Sequence, residues 1–321
     1  MIVAAHNETL QRAAALLRAG ELVALPTETV YGLGADASNP VATAKIFAAK
    51  GRPADHPLIV HLADADQLVD WAREIPKEAI ALARAFWPGP LTLILKKEDD
   101  VPDVVTGGQD TVGLRVPDHP VALALLRAFG GGIAAPSANR FGRISPTTAQ
   151  HVFDELGESV AMILDGGACD VGIESTILDL SRGEPVILRP GMIGADAIAA
   201  IIGRRPRLPQ TAENAPRVSG ALAAHYAPRT PMRAVSSDAL STIDTRAAVL
   251  SWSQPVNAGH SGSWIHASHQ PAQYAHDLYA NLRALDASGA AEILLEEIPS
   301  DSAWDAIRDR LGRALVGSGK D

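Results

Sequence analysis

Apolar residues recur at helical spacing over residues 9–19, and Gly20 follows where the pattern stops. Residues 21–25 read as a buried strand, closed by Pro26, which a central strand does not accommodate. Asn39-Pro40 joins a capping side chain to a proline suited to the first helical turn. It predicts a helix through Ile46 and Phe47 to Lys50, ended by Gly51. Strands follow at 58–62, 91–95, 111–116 and 133–135, with helices at 76–87, 120–129 and 146–156. Three further strands, at 161–164, 175–180 and 185–188, come without helices between them, and a helix at 195–202 closes the series. The interleaving predicts an α/β domain, and the late run of strands predicts a mixed sheet rather than a regular doubly wound one.

From Gly203 to Pro231 neither period is sustained, and Pro206, Pro209, Pro216, Gly220 and Pro228 punctuate the chain. The pattern then restarts, with strands at 233–235, 247–251 and 293–295 and helices at 274–285 and 304–315. This predicts a catalytic-sized domain over 1–205, a linker over 206–231 and a small α/β domain over 232–321. In the latter, Tyr274, Leu278 and Leu282 read as core, and His260, His266 and His269 as a loose cluster in a loop.

Of the 321 residues, 47% are hydrophobic and 20% charged, the balance of a folded chain. Aromatic residues make up only 4%, so Ala, Val, Leu and Ile must build the cores. The formal net charge of −9 argues against a protein that coats nucleic acid, yet leaves room for a local basic pocket. The single cysteine, Cys169, excludes an intramolecular disulfide and a zinc finger, and reads as a small space-filling residue beside Asp165-Gly-Gly167. No basic residue leads into an apolar stretch at the N-terminus, and no run reaches the roughly 18 apolar residues of a membrane span. A cytoplasmic protein without membrane partners is therefore expected.

Neither a P-loop nor a G-x-G-x-x-G turn is present, and H-E-x-x-H and G-x-S-x-G are missing too. Three polar clusters stand instead at predicted strand or helix ends, where α/β folds place ligands. Pro26-Thr-Glu-Thr-Val-Tyr-Gly-Leu-Gly34 offers hydroxyls, a carboxylate and a phenol, although a strand-to-loop turn alone would also use such residues. Lys50-Gly-Arg-Pro53, with His56 and His61 beyond, suits a phosphate clamp, although a helix C-terminus attracts cations through its dipole in any case. Pro136-Ser-Ala-Asn139, with Arg140, Arg143 and Ser145 behind it, could hold a polyphosphate or simply turn the chain into the next helix.

Taken in order with Pro57-Leu58, Glu174-Ser-Thr-Ile177 and Leu188-Arg-Pro-Gly191, these clusters resemble the YrdC/YwlC family of threonylcarbamoyl-AMP synthases over residues 5–205. His225-Tyr-Ala-Pro228, followed by a small α/β domain, is similar to the long two-domain form of that family. The resemblance implies an α/β fold, a YrdC-like twisted mixed sheet around a deep cavity, plus a small C-terminal Rossmann-like α/β domain. It implies a nucleotidyltransferase that joins L-threonine, bicarbonate (or CO2) and ATP, with Mg2+ arriving on the ATP, into threonylcarbamoyl-AMP and pyrophosphate. A transferase complex would then pass the threonylcarbamoyl group to tRNA, so tRNA is an indirect partner.

By the same resemblance, Lys50, Arg52, Ser137 and Asn139 form the catalytic and ATP-phosphate set. His56, Thr111, Ser145, Arg189 and Tyr226 fall on the nucleotide side. Thr29, Tyr31, His61, Arg115, Ala135 and Ser175 fall on the threonine side, with Arg115 the natural partner of its carboxylate. The linker would close over the site as a lid. The stretch Ser219 to Ala224 departs from the family, lacking the proline and the basic residue usual shortly before His-Tyr-Ala-Pro. Rival readings are a carbamoyl-transfer relative that makes carbamoyl-AMP, an RNA-binding module and a structural scaffold. The first would carry zinc-finger cysteines and a further domain, for which this chain has no room.

Overall fold

A computed structural model describes residues 1–208, 215–253 and 259–319. They fall into two units. One holds Met1–Phe141, Pro146–Asp170 and Glu174–Ala221; the other holds Leu222–Asp321 together with Gly142–Ser145 and Val171–Ile173. The expected linker is thus divided between them after Ala221, and its residues 209–214 lie outside those described.

The first unit runs β1 (Ile2–Ala4), α1 (Asn7–Arg18), β2 (Val23–Leu25), β3 (Gly32–Asp36), α2 (Pro40–Lys50), β4 (Ile59–His61) and α3 (Lys77–Phe86). It continues through β5 (Leu91–Lys96), α4 (Asp103–Thr106), β6 (Thr111–Arg115), α5 (Pro120–Phe129), β7 (Ile133–Ala134) and α6 (Ala149–Leu156). β8 (Met162–Asp165), β9 (Thr176–Asp179), β10 (Val186–Arg189) and α7 (Ala195–Ile202) complete it. All ten strands join one mixed sheet in the order β1-β8-β2-β3-β7-β4-β6-β5-β9-β10. The late strands are therefore not one meander. β8 pairs in parallel with β1 and β2, whereas β9 pairs in parallel with β5 and antiparallel with β10 at the far end.

Local chemistry fixes the helices. The Asn39 side chain accepts from the Val41 and Ala42 amides, Pro40 opens α2, and Gly51 ends it at φ 62°, a left-handed turn that glycine adopts without cost. α6 starts at Ala149, later than expected, because the carbonyls of Pro146 and Thr147 accept from the Tyr31 and Cys169 amides and hold those residues extended. Two strands of the first unit escaped the sequence pattern, β1 and β3. β3 runs through the glycine-rich motif, pairing antiparallel with β2 and β7. A Cβ at Gly34 would lie 2.9 Å from the Val23 carbonyl oxygen, so glycine here reflects close strand approach, not a turn.

Leu33, Ile46, Leu82, Leu93 and Leu114 belong to one apolar cluster, and Leu17, Leu25, Leu125, Leu126 and Leu164 to another. All are fully buried, each contributing roughly 1.5–3 kcal/mol of transfer free energy. α1 packs on α5 in the second cluster.

The second unit contains β11 (Met232–Val235), β12 (Ala248–Ser251), β13 (Trp264–His266), α8 (Pro271–Asp286), β14 (Ile293–Glu296) and α9 (Asp305–Gly317). Its four strands are all parallel, in the order β11-β14-β12-β13. β13 was read as loop, because three residues between polar flanks carry no measurable period; His266 ends that strand. Among the described residues no group of three or more His, Cys, Asp or Glu could hold a metal ion. Nor is any described helix long and apolar enough to cross a membrane.

Candidate active site

α2 delivers Lys50 as its last helical residue, buried, with its ammonium donating to the carbonyl oxygens of Ser137 and Asn139 at 2.5 Å each. The helix dipole explains a cation at this terminus, but it does not require the cation to be folded inward onto a second loop. The loop is laced down by its backbone. The Phe141 amide donates to the Lys50 carbonyl, Ala138 to Tyr31, and Leu33 to Pro136. Burial and the nearby Arg52 hold the Lys50 pKa well below its ordinary value, with Glu155 and Glu174 acting in the opposite sense. An arriving polyanion would relieve that penalty.

Arg52 extends the cationic wall. Its Nη2 donates to the Pro57 carbonyl at 2.9 Å and to Ser219 Oγ at 3.2 Å, and its guanidinium lies 5.9 Å from the Phe141 ring centroid. His56 meets the same ring edge-on at 5.3 Å, and its pKa is lowered by burial and then by Arg52. Arg189, at the end of β10, donates through Nε to the Ser175 carbonyl, through Nη2 to Ser175 Oγ, both at 3.1 Å, and through Nη1 to the Ser219 carbonyl at 3.0 Å. Ser219 therefore bridges Arg52 and Arg189. The segment leading to it is anchored by Arg217, which pairs with Asp55 at 2.9 Å, donates to the Gly107 carbonyl and exchanges hydrogen bonds with Gln109. Val218 packs with Ile59, Ile94, Ile177, Val186 and Leu188.

Of the residues expected on the threonine side, Thr29 and His61 meet Arg115, while Ser175 is held by Arg189. β4 and β6 run parallel with His61 opposite Arg115. Thr29, two residues past Thr27 on the loop after β2, accepts from Arg115 Nη1 at 2.9 Å, and Arg115 Nε donates to the Gly89 carbonyl at 3.2 Å. Thr27 and Thr29 share a hydroxyl–hydroxyl contact of 2.9 Å. Burial, then Arg115, push the His61 pKa down to about 3, so its ring is neutral at ordinary pH. Tyr31 is fully buried, and its hydroxyl is engaged by donating to the Gly167 carbonyl and accepting from the Gly166 amide. Ala135 is tied by its amide to the Ile59 carbonyl. Thr111 and Arg115 occupy opposite ends of β6, with residues 111, 113 and 115 on one face. Ser145 and Tyr226 belong to the second unit, where the Ala227 amide donates to the Gly142 carbonyl. Tyr226 has a left-handed φ of 60°, unusual for a bulky side chain, and sits 5.3 Å from the Arg310 guanidinium and 5.7 Å from the Tyr279 ring.

Sequence reasoning passed over three contributors. Glu28 is buried and pairs with Arg115 at 2.5 Å; it stood inside the first motif but was given no role. Thr92 shares a 2.8 Å contact with Ser175 Oγ, and the signal for it was a lone hydroxyl in the apolar run of β5. Ser219 lay in the stretch marked as departing from the family; its hydroxyl and carbonyl contact both arginines without the usual proline.

This arrangement of a buried lysine, two further arginines and a separate guanidinium can bind a polyphosphate and a carboxylate within one unit. Comparison with known proteins agrees. Residues 15–191 match the family model described as Telomere recombination, which groups Sua5, YciO and YrdC, and residues 193–315 match the C-terminal domain of threonylcarbamoyl-AMP synthase. The chain is 40% identical to the threonylcarbamoyl-AMP synthase of Pyrococcus abyssi, over 94% of this chain and 92% of that protein. It is 42% identical to that of Bacillus subtilis, over 97% and 94%. The crystal structure of P. abyssi Sua5 complexed with L-threonine superposes with a TM-score of 0.91 at 36% identity, covering 99% of each chain. With both of its halves matched, the chain belongs to the threonylcarbamoyl-AMP synthase family in its two-domain form.

Proposed function

We propose that the first unit carries out the synthase reaction with Lys50, Arg52, Ser137, Asn139 and Arg189 on the triphosphate and Arg115, Thr29, His61 and Ser175 around L-threonine. The activity is that of a threonylcarbamoyl-AMP synthase, a nucleotidyltransferase serving threonylcarbamoyladenosine formation in tRNA. Threonine, bicarbonate and ATP give threonylcarbamoyl-AMP, pyrophosphate and water. The threonine nitrogen first becomes a carbamate, and a carbamate oxygen then attacks the α-phosphorus as pyrophosphate leaves. Two anions must meet in that step, and the inward-folded Lys50 between Ser137 and Asn139 is the observation that carries the reading. A fixed ammonium with guanidiniums beside it offsets the repulsion and needs no reorganisation during reaction. Mg2+ would enter as part of the nucleotide substrate, and no step here is assigned to it.

The carbamate hydrolyses readily, so water must be excluded while it forms. Residues 215–219, laid on Arg52 and Arg189 and pinned through Arg217, supply a cover for that purpose. The product would pass, in the cytoplasm, to a transferase complex that acts on tRNA. Pyrophosphate release and threonylcarbamoyl-AMP formation, measured together with and without L-threonine and bicarbonate, test the assignment. Release should require both small substrates, match product one for one, and fall by about a thousandfold in Lys50→Ala, the loss typical of removing a preorganised charge. Threonine-independent release would point to carbamoyl transfer or an RNA-binding role, unchanged release in Lys50→Ala would remove that residue from the site, and pyrophosphate in excess of product would remove the cover's role.

A further inference from the structure

Glu28 presents a problem that the assigned roles leave unsolved. Its carboxylate is buried, with a side-chain exposure of 6%, directly beside the arginine expected to receive the carboxylate of threonine, itself 4% exposed. Placing an anion next to an anion-binding guanidinium weakens the attraction for a simple anion. A site built only to hold a carboxylate would omit it.

The donor and acceptor inventory suggests what the pair is built for. A guanidinium offers five N–H groups. Arg115 spends one through Nε on the Gly89 carbonyl and one through Nη1 on Thr29, while Nη2 faces Glu28 in an ion pair without making a hydrogen bond. The second N–H of Nη1 and the N–H groups of Nη2 make no hydrogen bond, and together they include the set that a carboxylate takes in a bidentate pair. Glu28 is the reverse case. An ionised carboxylate offers about four acceptor positions, and neither of its oxygens accepts a hydrogen bond from any described group; the contact with Arg115 is its ion pair. His119 and Cys169 also feel its charge, and no described group donates a hydrogen bond to it. A buried carboxylate with open acceptor capacity is costly unless a donor arrives.

Resting on the function proposed above, we propose that Glu28 and Arg115 form a paired plus–minus receptor for a zwitterion, in which Arg115 takes the α-carboxylate of L-threonine and Glu28 takes its α-ammonium. The pair is neutral as a whole, as free threonine is, so binding places no net charge in the protein interior. Glu28 is then a specificity-determining residue. It distinguishes a free amino acid from a hydroxy acid of the same shape, which offers one neutral O–H donor in place of three charged N–H donors. It also positions Arg115, whose fork is steered from one side by Glu28 and from the other by Thr29.

The test measures equilibrium binding to the full chain by calorimetry, using L-threonine and 2,3-dihydroxybutanoate, the analogue in which a hydroxyl replaces the amine. The wild type should prefer threonine. Glu28→Gln keeps the side-chain volume and removes the charge; it should weaken threonine binding by about tenfold to a hundredfold, the range for a lost charge-assisted hydrogen bond. It should weaken the analogue far less, so that the preference collapses, and it should leave ATP binding within about twofold. A purely structural Glu28 would weaken all three ligands together or none, and either result overturns the proposal, as does a preserved threonine preference. If Glu28→Gln fails to fold, Glu28→Asp keeps the charge and withdraws it by one methylene. The same selective loss is then expected, and an unchanged preference again overturns the idea. Pyrophosphate release by the wild type is scored separately. A wild type that binds threonine without releasing pyrophosphate sinks the functional reading while the binding ratios still decide the role of Glu28.

Discussion

Arg115 in the first unit and Arg310 in the second are both buried, at 4% and 0% exposure, but their charges are balanced differently. Arg115 pairs with Glu28, a carboxylate as buried as itself, and keeps N–H groups that make no hydrogen bond. Arg310 lies beside Asp309 at 2.6 Å, a carboxylate that also binds Arg313 at 2.8 and 3.0 Å, and it covers the ring of Tyr226. The first arrangement is isolated and incomplete, which suits a ligand. The second is shared and redundant, which suits a clamp that holds Tyr226 in its left-handed turn.

The largest effect that would test this contrast is on folding stability. Arg115→Met leaves Glu28 buried without its ion partner, and a broken buried pair costs about 3–5 kcal/mol. Urea unfolding should show that loss, and restoring neutrality with Glu28→Gln in the same chain should recover most of it. A loss below about 1 kcal/mol would mean that Glu28 is compensated elsewhere, and the contrast with Arg310 would fail.

Parts of the fold and of the site were legible in the sequence, but this contrast was not, for physical reasons. The α2 cap and its stop at Gly51 follow from local rules, whereas the grouping of Lys50 with Ser137 and Asn139 came only from the family resemblance of the motifs. The pairing of Glu28 with Arg115 follows from neither, because the partners are 87 positions apart in sequence and only strand order brings them together. β3 was hidden because glycine weakens every strand signal, although the reason for its glycines is strand approach. The Arg310–Tyr226 contact was equally invisible: an arginine in an amphipathic helix reads as a solvated charge until the fold buries it.

A smaller effect is expected at Arg310. Arg310→Met removes a charge but leaves Asp309 with Arg313, so the loss should stay below that of Arg115→Met, which strands a buried carboxylate. Measured by the same urea titration, a loss equal to that of Arg115→Met would show that both arginines are clamps and would erase the distinction.

The smallest effect is a slope with pH, and it reports on the Arg115 side alone. His61 has a pKa of about 3 in the folded chain, because it is buried and faces Arg115, against an ordinary value near 6.5. Above pH 6.5 the ring is neutral in both folded and unfolded chains and contributes no pH dependence. Below it the unfolded chain binds a proton that the folded chain refuses, so stability falls as pH drops from about 6.5 toward 3. The slope attributable to this one group is at most about 1.4 kcal/mol per pH unit. His56 and His119, also shifted down, tilt the curve in the same direction and are common to wild type and variant. Unfolding of wild type and His61→Gln at pH 7 and pH 5 isolates the His61 share, and the variant should lose less stability between them. Equal losses would mean that His61 accepts its proton in the folded state, which a neighbouring guanidinium as buried as Arg115 should prevent.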